Sequence, residues 1–190
     1  MANEASLDVV VICGSLRKGS YNAALARADT KLAPPALKLR SAPPFHTMPF
    51  YNADLQDAEG FPAEVTAFAD AIRSADGVLV VSPEYNWTIP GALKNAIDWV
   101  SRMKDQPFNN KPVALQSAAR GVLGGARMQY HLRQCLTSID AILFGRPEIL
   151  VTFADKKFDA STLELSDPPT IDIVRQQLAA FETFIRRVRV

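Results

Sequence analysis

The 190-residue sequence predicts a doubly wound α/β fold: a five-stranded parallel sheet with helices on both faces. Three observations predict it. Segments 7–13 (LDVVVIC) and 77–82 (GVLVVS) are short, unbroken apolar runs rich in β-branched residues, the pattern of strands buried on both faces. The segments between such runs carry apolar residues at helical spacing. The alternation repeats five times within the chain, which calls for crossover connections and hence parallel strands.

In chain order, the first strand (7–13) ends at Gly14-Ser15, and Asn22 is placed to cap a helix that opens with Ala23, Ala24 and Leu25 and fades before Pro34 and Pro35. Residues 36–42 read as a weaker strand, followed by a long Pro-rich loop to 52. Over 61–75, Val65, Phe68, Ala69 and Ile72 share one helix face, and the strand 77–82 follows. A helix over 92–102 turns Leu93, Ala96, Ile97 and Val100 inward, and 112–117 returns as a strand. Residues 126–139 are helical and 147–152 strand-like, and a polar loop occupies 154–169. The last helix, 171–188, shows Val174, Leu178, Phe181, Ile185 and Val188 at alternating spacings of four and three. No repeat or linker interrupts the pattern, so one domain over 1–190 is expected.

Composition narrows the function classes. Twenty-one basic residues against 20 acidic ones leave a net charge of +1, too small a field to gather nucleic acid or an anionic membrane. The basic tail Arg186, Arg187 and Arg189 reads as the solvated end of a helix. Cys13 and Cys135, far apart in apolar-patterned segments, read as reduced core thiols rather than metal ligands. The start MANEASLD lacks a basic region followed by an apolar one, and no apolar stretch approaches the ~18 residues of a membrane span, so the expected location is the cytoplasm.

In an open α/β sheet, ligands bind beyond the carboxyl ends of the strands where the winding reverses. Three loops fall there under the strand order 2-1-3-4-5, which is the expected one. The first, GSLRKGSYN (14–22), leads into a helix N-terminus, with Ser15, Ser20 and Asn22 as donors and Arg17 as a counter-charge. It suits a phosphate. It has neither the GxxxxGK[ST] nor the GxGxxG spacing, so a mononucleotide fits better than a nucleoside triphosphate or a dinucleotide.

The second, within SPEYNWTIPGALKNAIDWV (82–100), is stiffened by Pro83 and Pro90 and sets Glu84, Tyr85, Asn86 and Trp87 at a strand end, where exposed aromatic rings suit a flat ligand such as an isoalloxazine. The third, SAARGVLGGARMQYHLR (117–133), begins at Ser117, and its Gly121, Gly124 and Gly125 admit a close backbone approach.

These three motifs, with GRPE at 145–148, resemble the NADPH-dependent FMN reductase family of flavodoxin-like proteins, in particular its quinone and chromate reductase branch, over nearly the whole chain. The PEYNW segment is the most specific of them. The resemblance implies non-covalent FMN with Ser15, Arg17, Ser20 and Asn22 at the phosphate, Pro83, Glu84, Tyr85 and Asn86 along the ring, and Ser117 and Gly121 completing the pocket. It implies homodimers that pair into tetramers, and a polar network of Tyr85, Arg127, Tyr130 and Glu148 near a subunit interface. Arg127 and Tyr130, three apart on a helix, share a face.

The expected reaction is ping-pong: NAD(P)H, as NADPH or NADH, gives hydride to flavin N5 and leaves, and a quinone, chromate or an azo dye takes the electrons. No side-chain acid or base is required, so His46 and His131 receive no catalytic role. Arg102 reads either as an attractor of anionic acceptors or as a helix-end cation. The alternatives are a flavodoxin-type carrier, whose strongly acidic docking surface this near-neutral chain lacks, and an FMN-sensing interaction module on the same scaffold. A receiver domain would need acidic residues at the strand ends, where Gly14 and Ser15 stand instead.

Overall fold

The computed structural model describes residues 5–189. Strand β1 (Leu7–Cys13) lies between parallel neighbours β2 (Leu37–Ser41) and β3 (Gly77–Val81). β4 (Pro112–Ala118) pairs with β3, and two short strands share its far side: β5 (Ile142–Leu143) along its start and β6 (Ile149–Val151) along its end. The order is β2-β1-β3-β4-β5 with every pair parallel, as expected, and the winding reverses between β1 and β3.

The helices are α1 (Tyr21–Leu32), α2 (Ala53–Glu59), α3 (Ala63–Ser74), α4 (Gly91–Val100), α5 (Ala126–Thr137) and α6 (Pro168–Val188). Strand periodicity divides the core into two layers. Val10, Ile12, Val78, Val80, Val113 and Leu115 meet α3, α4 and α5, whereas Leu7, Val9, Val11, Leu79, Val81 and Ala114 meet α1 and α6. Each such side chain contributes roughly 1.5–3 kcal/mol by leaving water. The helix faces expected from spacing are the buried ones, with Val65, Phe68, Ala69 and Ile72 on α3 and Val174, Leu178, Phe181 and Ile185 on α6 all fully enclosed.

The structure departs from the expected pattern at several points. The fifth strand is split, because Gly145 and Pro147 interrupt it and proline brings no N–H to a ladder. Helix α2 has no buried residue and hence no periodic signature; Asn52 starts it by accepting from the Asp54 N–H at 2.9 Å. The polar loop after β6 carries an apolar anchor: Phe158 is buried, bridges to Leu165, and sits 5.4 Å from the Tyr21 ring. In the basic tail, Arg186 pairs with Glu182 and Arg189 with Asp76, both at 3.0 Å, and Arg187 is exposed.

The α6 N-terminus lies three residues upstream of its expected start, since Asp167 accepts from Thr170 N and Pro168 and Pro169 suit the first helical positions. Both cysteines are free and half-buried. No helix among the described residues is long and apolar enough to cross a membrane, and no group of three His, Cys, Asp or Glu side chains among them could hold a metal.

Candidate active site

The loops after β1, β3 and β4 leave three adjacent strands at the same edge of the sheet. Gly14 is what allows the first to lie on the second: a Cβ there would stand 2.3 Å from Ser82 Oγ. Ser20, not Asn22, caps α1, its Oγ accepting from the N–H groups of Asn22 and Ala23 at 3.2 Å. Asn22 lies inside the first turn and latches it to β4, donating from Nδ2 to the Ala118 carbonyl and accepting at Oδ1 from the Ala118 N–H, both at 2.9 Å.

Among the described residues no protein acceptor meets the N–H groups of Leu16, Lys18, Gly19 or Tyr21. The first turn of α1 has no acidic residue, Arg17 is exposed, and Ser15 Oγ lies 3.4 Å from the Arg17 N–H. Unpaired donors at a helix start attract an anion. Arg120, which the sequence reading passed over, brings its guanidinium to 5.9 Å from the ring of Tyr21, the first residue of α1. Its position three residues past Ser117 was the only available signal. Burial raises the pKa of the Cys13 thiol, and the Ser15 carbonyl and Arg27 offset this only in part, so the thiol stays neutral.

The second loop is a two-residue hairpin in which Tyr85 and Thr88 exchange backbone bonds at 3.1 and 3.0 Å around Asn86 (φ 46°) and Trp87 (φ 71°). Positive φ at both central residues matches a type I′ turn; asparagine tolerates it, and tryptophan is strained in it. Pro83, Ile89 and Pro90 are buried and anchor a tip where Tyr85 is 47% and Trp87 66% exposed. The Arg127 guanidinium lies 3.9 Å from the Trp87 ring centroid, a cation–π contact that holds the indole in place.

Glu84 joins the second loop to the third, accepting from Arg127 at 3.3 Å and from the Met128 N–H at 3.2 Å. It thereby supplies the cap that Gly125 cannot give α5. The glycines of the third loop have a different purpose from the one expected. Gly124 (φ 57°) and Gly125 (φ 92°) are packed against protein: added Cβ atoms would lie 2.8 Å from the Leu150 carbonyl carbon and 2.7 Å from Ser117 Cβ. Gly121 has open space around it. Ser117 is fully buried, donating to the Gly124 carbonyl at 2.6 Å and accepting from Gln129 at 2.8 Å, so it shapes the wall from behind.

The expected quartet of Tyr85, Arg127, Tyr130 and Glu148 makes no mutual hydrogen bond among the described residues. Arg127 turns to Glu84, and Glu148 pairs with Arg133 at 3.3 Å. The Tyr85 and Tyr130 rings face outward. His131 Nδ1 is 2.9 Å from Thr88 Oγ1, bracing the hairpin, and Arg102 stacks 5.3 Å from the Tyr51 ring just past the far end of α4.

Among the described residues the large apolar side chains left exposed are Leu16, Phe50, Tyr85, Trp87, Val122, Leu123, Tyr130 and Phe153, and all but Phe50 and Tyr130 stand in the loops directly after β1, β3, β4 and β6. Unpaired amide donors beside exposed aromatic rings fit a ligand that is anionic at one end and flat and apolar at the other, which is the chemistry of FMN.

A sequence profile described as NADPH-dependent FMN reductase matches residues 7–156. Over 184 residues the chain is 50% identical to the quinone reductase of Escherichia coli strain K12, covering 97% of this chain and 98% of that protein. Identity to the NAD(P)H-dependent FMN reductase of Pseudomonas aeruginosa is 43% over 183 residues, or 96% and 97% of the two chains. Among solved structures, the flavoenzyme NAD(P)H:(acceptor) oxidoreductase FerB of Paracoccus denitrificans superposes with a TM-score of 0.85 at 32% identity, covering 95% of this chain and 98% of that one.

Proposed function

The chain belongs to the NADPH-dependent FMN reductase family, and on that premise we propose that it carries electrons from NAD(P)H to quinones in two separate half-reactions. Bound FMN supplies the chemistry, accepting and returning a hydride equivalent. The protein's part is to bind, orient and shield. The observation that carries this reading is the run of unpaired N–H donors at the start of α1, on the same sheet edge as the exposed hairpin 85–88.

In this reading, the N–H groups of Leu16, Lys18 and Gly19, together with Arg17, Ser15 and the Ser20 hydroxyl, hold the phosphate, and Arg120 adds a second cation. The backbone of Pro83, Glu84, Tyr85 and Asn86 borders the ring. Asn22 and Ser117 act from behind, fixing α1 and the third loop to β4, and Gly121 leaves the ring's rim open. Trp87, pinned by Arg127, would lie over the bound ring. No side chain in the set is poised as an acid or base.

Two copies joined through the exposed apolar edge, pairing further into a tetramer, would bring Tyr85, Arg127, Tyr130 and Glu148 toward a neighbour's site. Chromate and azo dyes are then secondary acceptors, reduced because the same open rim admits them, and the cytoplasm is the expected place of work. The purified protein should show a flavin spectrum, lose it on anaerobic addition of NADPH, regain it with a quinone, and give parallel double-reciprocal plots. A protein that takes up no FMN, or whose bound flavin NADPH leaves oxidised, overturns the proposal; the second outcome is that of an electron carrier or sensing module.

A further inference from the structure

A cleft of about 480 Å³ opens between α1 and the carboxyl end of β2, behind the phosphate loop. Nothing in the electron-transfer reading uses it. Its volume lies within the usual range for small-molecule sites. Leu16 of the 14–22 loop lines one side of it, so the cleft adjoins the loop read as the phosphate site. Small residues on α1, Ala23 and Ala26, make the space, and Pro43 and Pro44 give it a stiff apolar side suited to a planar ring.

The charge in the cleft has one sign. Arg27, Arg40 and His46 line it, and no Asp or Glu does. Arg40 is already committed, donating to Asp8 at 2.7 Å and to the Ala71 carbonyl at 2.8 Å. Arg27 is exposed and meets no carboxylate among the described residues, and His46 is exposed across the cleft on the 42–52 segment. Ser41 adds a hydroxyl, whereas the Thr30 hydroxyl donates to the Ala26 carbonyl at 3.4 Å. A guanidinium that meets no carboxylate among the described residues, beside a hydroxyl and an apolar wall, matches a phosphorylated nucleoside: phosphate on the guanidinium and base against the prolines.

We propose that this cleft seats the adenosine 2′-phosphate end of NADPH, with Arg27 as the residue that prefers NADPH to NADH and His46 in support. The proposal rests on the reading of the protein as an NAD(P)H-dependent reductase. The sequence offered no sign of it, since Arg27 and His46 are 19 positions apart and lie in different elements.

The test uses the FMN-loaded protein and has two arms. In the first, calorimetry measures binding of 2′,5′-ADP and of 5′-AMP without turnover. We expect 2′,5′-ADP to bind the wild type more tightly than 5′-AMP, Arg27→Ala to weaken it by about ten- to a hundredfold, and Arg27→Lys to recover part of the loss. In the second, steady-state kinetics with a quinone should show the NADPH KM of Arg27→Ala raised by a similar factor, with kcat and the NADH KM within about twofold of wild type. His46→Ala should shift both readings the same way by a smaller factor. Absence of 2′,5′-ADP binding overturns the proposal, as does Arg27→Ala with unchanged NADPH preference. Equal affinity for 5′-AMP and 2′,5′-ADP, both weakened alike by Arg27→Ala, also overturns it, since the cleft then reads an adenylate and not the 2′-phosphate. A protein that binds 2′,5′-ADP as expected yet reduces no quinone defeats the functional reading alone.

Discussion

Arg17 and Ser20 belong to one loop yet contribute in separable ways. Ser20 caps α1, so Ser20→Ala should cost about 1 kcal/mol of stability on top of any loss of FMN. Arg17 is exposed and anchors no helix, so Arg17→Ala should leave the thermal midpoint unchanged while raising the FMN dissociation constant by roughly ten- to a hundredfold, the worth of one charge-assisted hydrogen bond. Fluorescence titration of the apoprotein with FMN checks this, and an unaltered constant would refute the phosphate assignment. Asn22 shows why residue type alone misleads: it reads as a cap or a phosphate donor, but both of its polar side-chain atoms are taken by Ala118, 96 positions away in sequence. Such a partner is visible only once β4 lies beside α1.

Among the elements, the hairpin 85–88 carries strain at Trp87. A bulky residue at φ 71° costs on the order of 1–3 kcal/mol, and the Arg127 stack returns about 1. Trp87→Gly should therefore raise the urea midpoint slightly while increasing the quinone KM, a split that a purely structural tryptophan would not show. The third loop gives the opposite case. At φ 92°, with Ser117 Cβ 2.7 Å from any added carbon, Gly125→Ala should destabilise by about 2–4 kcal/mol and loosen α5, measured by denaturant unfolding. The helices and strands that bury a face were legible in the sequence because burial imposes a period; α3 and α6 have the inward residues that spacing indicates. Helix α2 buries nothing and β5 is two residues long, so neither left a readable pattern, whereas β6 falls inside the strand read over 147–152.

At the scale of the whole molecule, α1, β4 and α6 meet at a buried polar cluster: Gln116 donates to Asp29 at 3.0 Å and to Gln177 at 2.9 Å, while Asp29 Oδ2 meets no partner among the described residues. Burial, only partly opposed by the Gln116 hydrogen bond, pushes the Asp29 pKa up from 3.8 to about 7. Between those values the folded protein keeps a proton that the unfolded chain has released, so stability falls as pH rises through this window, and the full cost persists above it, on the order of 4 kcal/mol. Asp29→Asn should therefore be more stable than wild type at pH 8 and equal to it near pH 4, with a flatter pH profile in urea unfolding; equal stabilities at pH 8 would show that Asp29 is ionised without penalty. The sequence by itself determined the alternation of strands and helices, the three loops and the family, because hydrophobic period, glycine and proline placement and contiguous motifs are local properties of the chain. Only the tertiary structure decided the strand order, that Ser20 is the cap, that Glu84 and Trp87 hold Arg127, that Asp29 is enclosed, and that Arg27 and His46 line one cleft. Each of these depends on residues distant in sequence sharing a few ångströms of space, and no local spacing encodes which of them will meet.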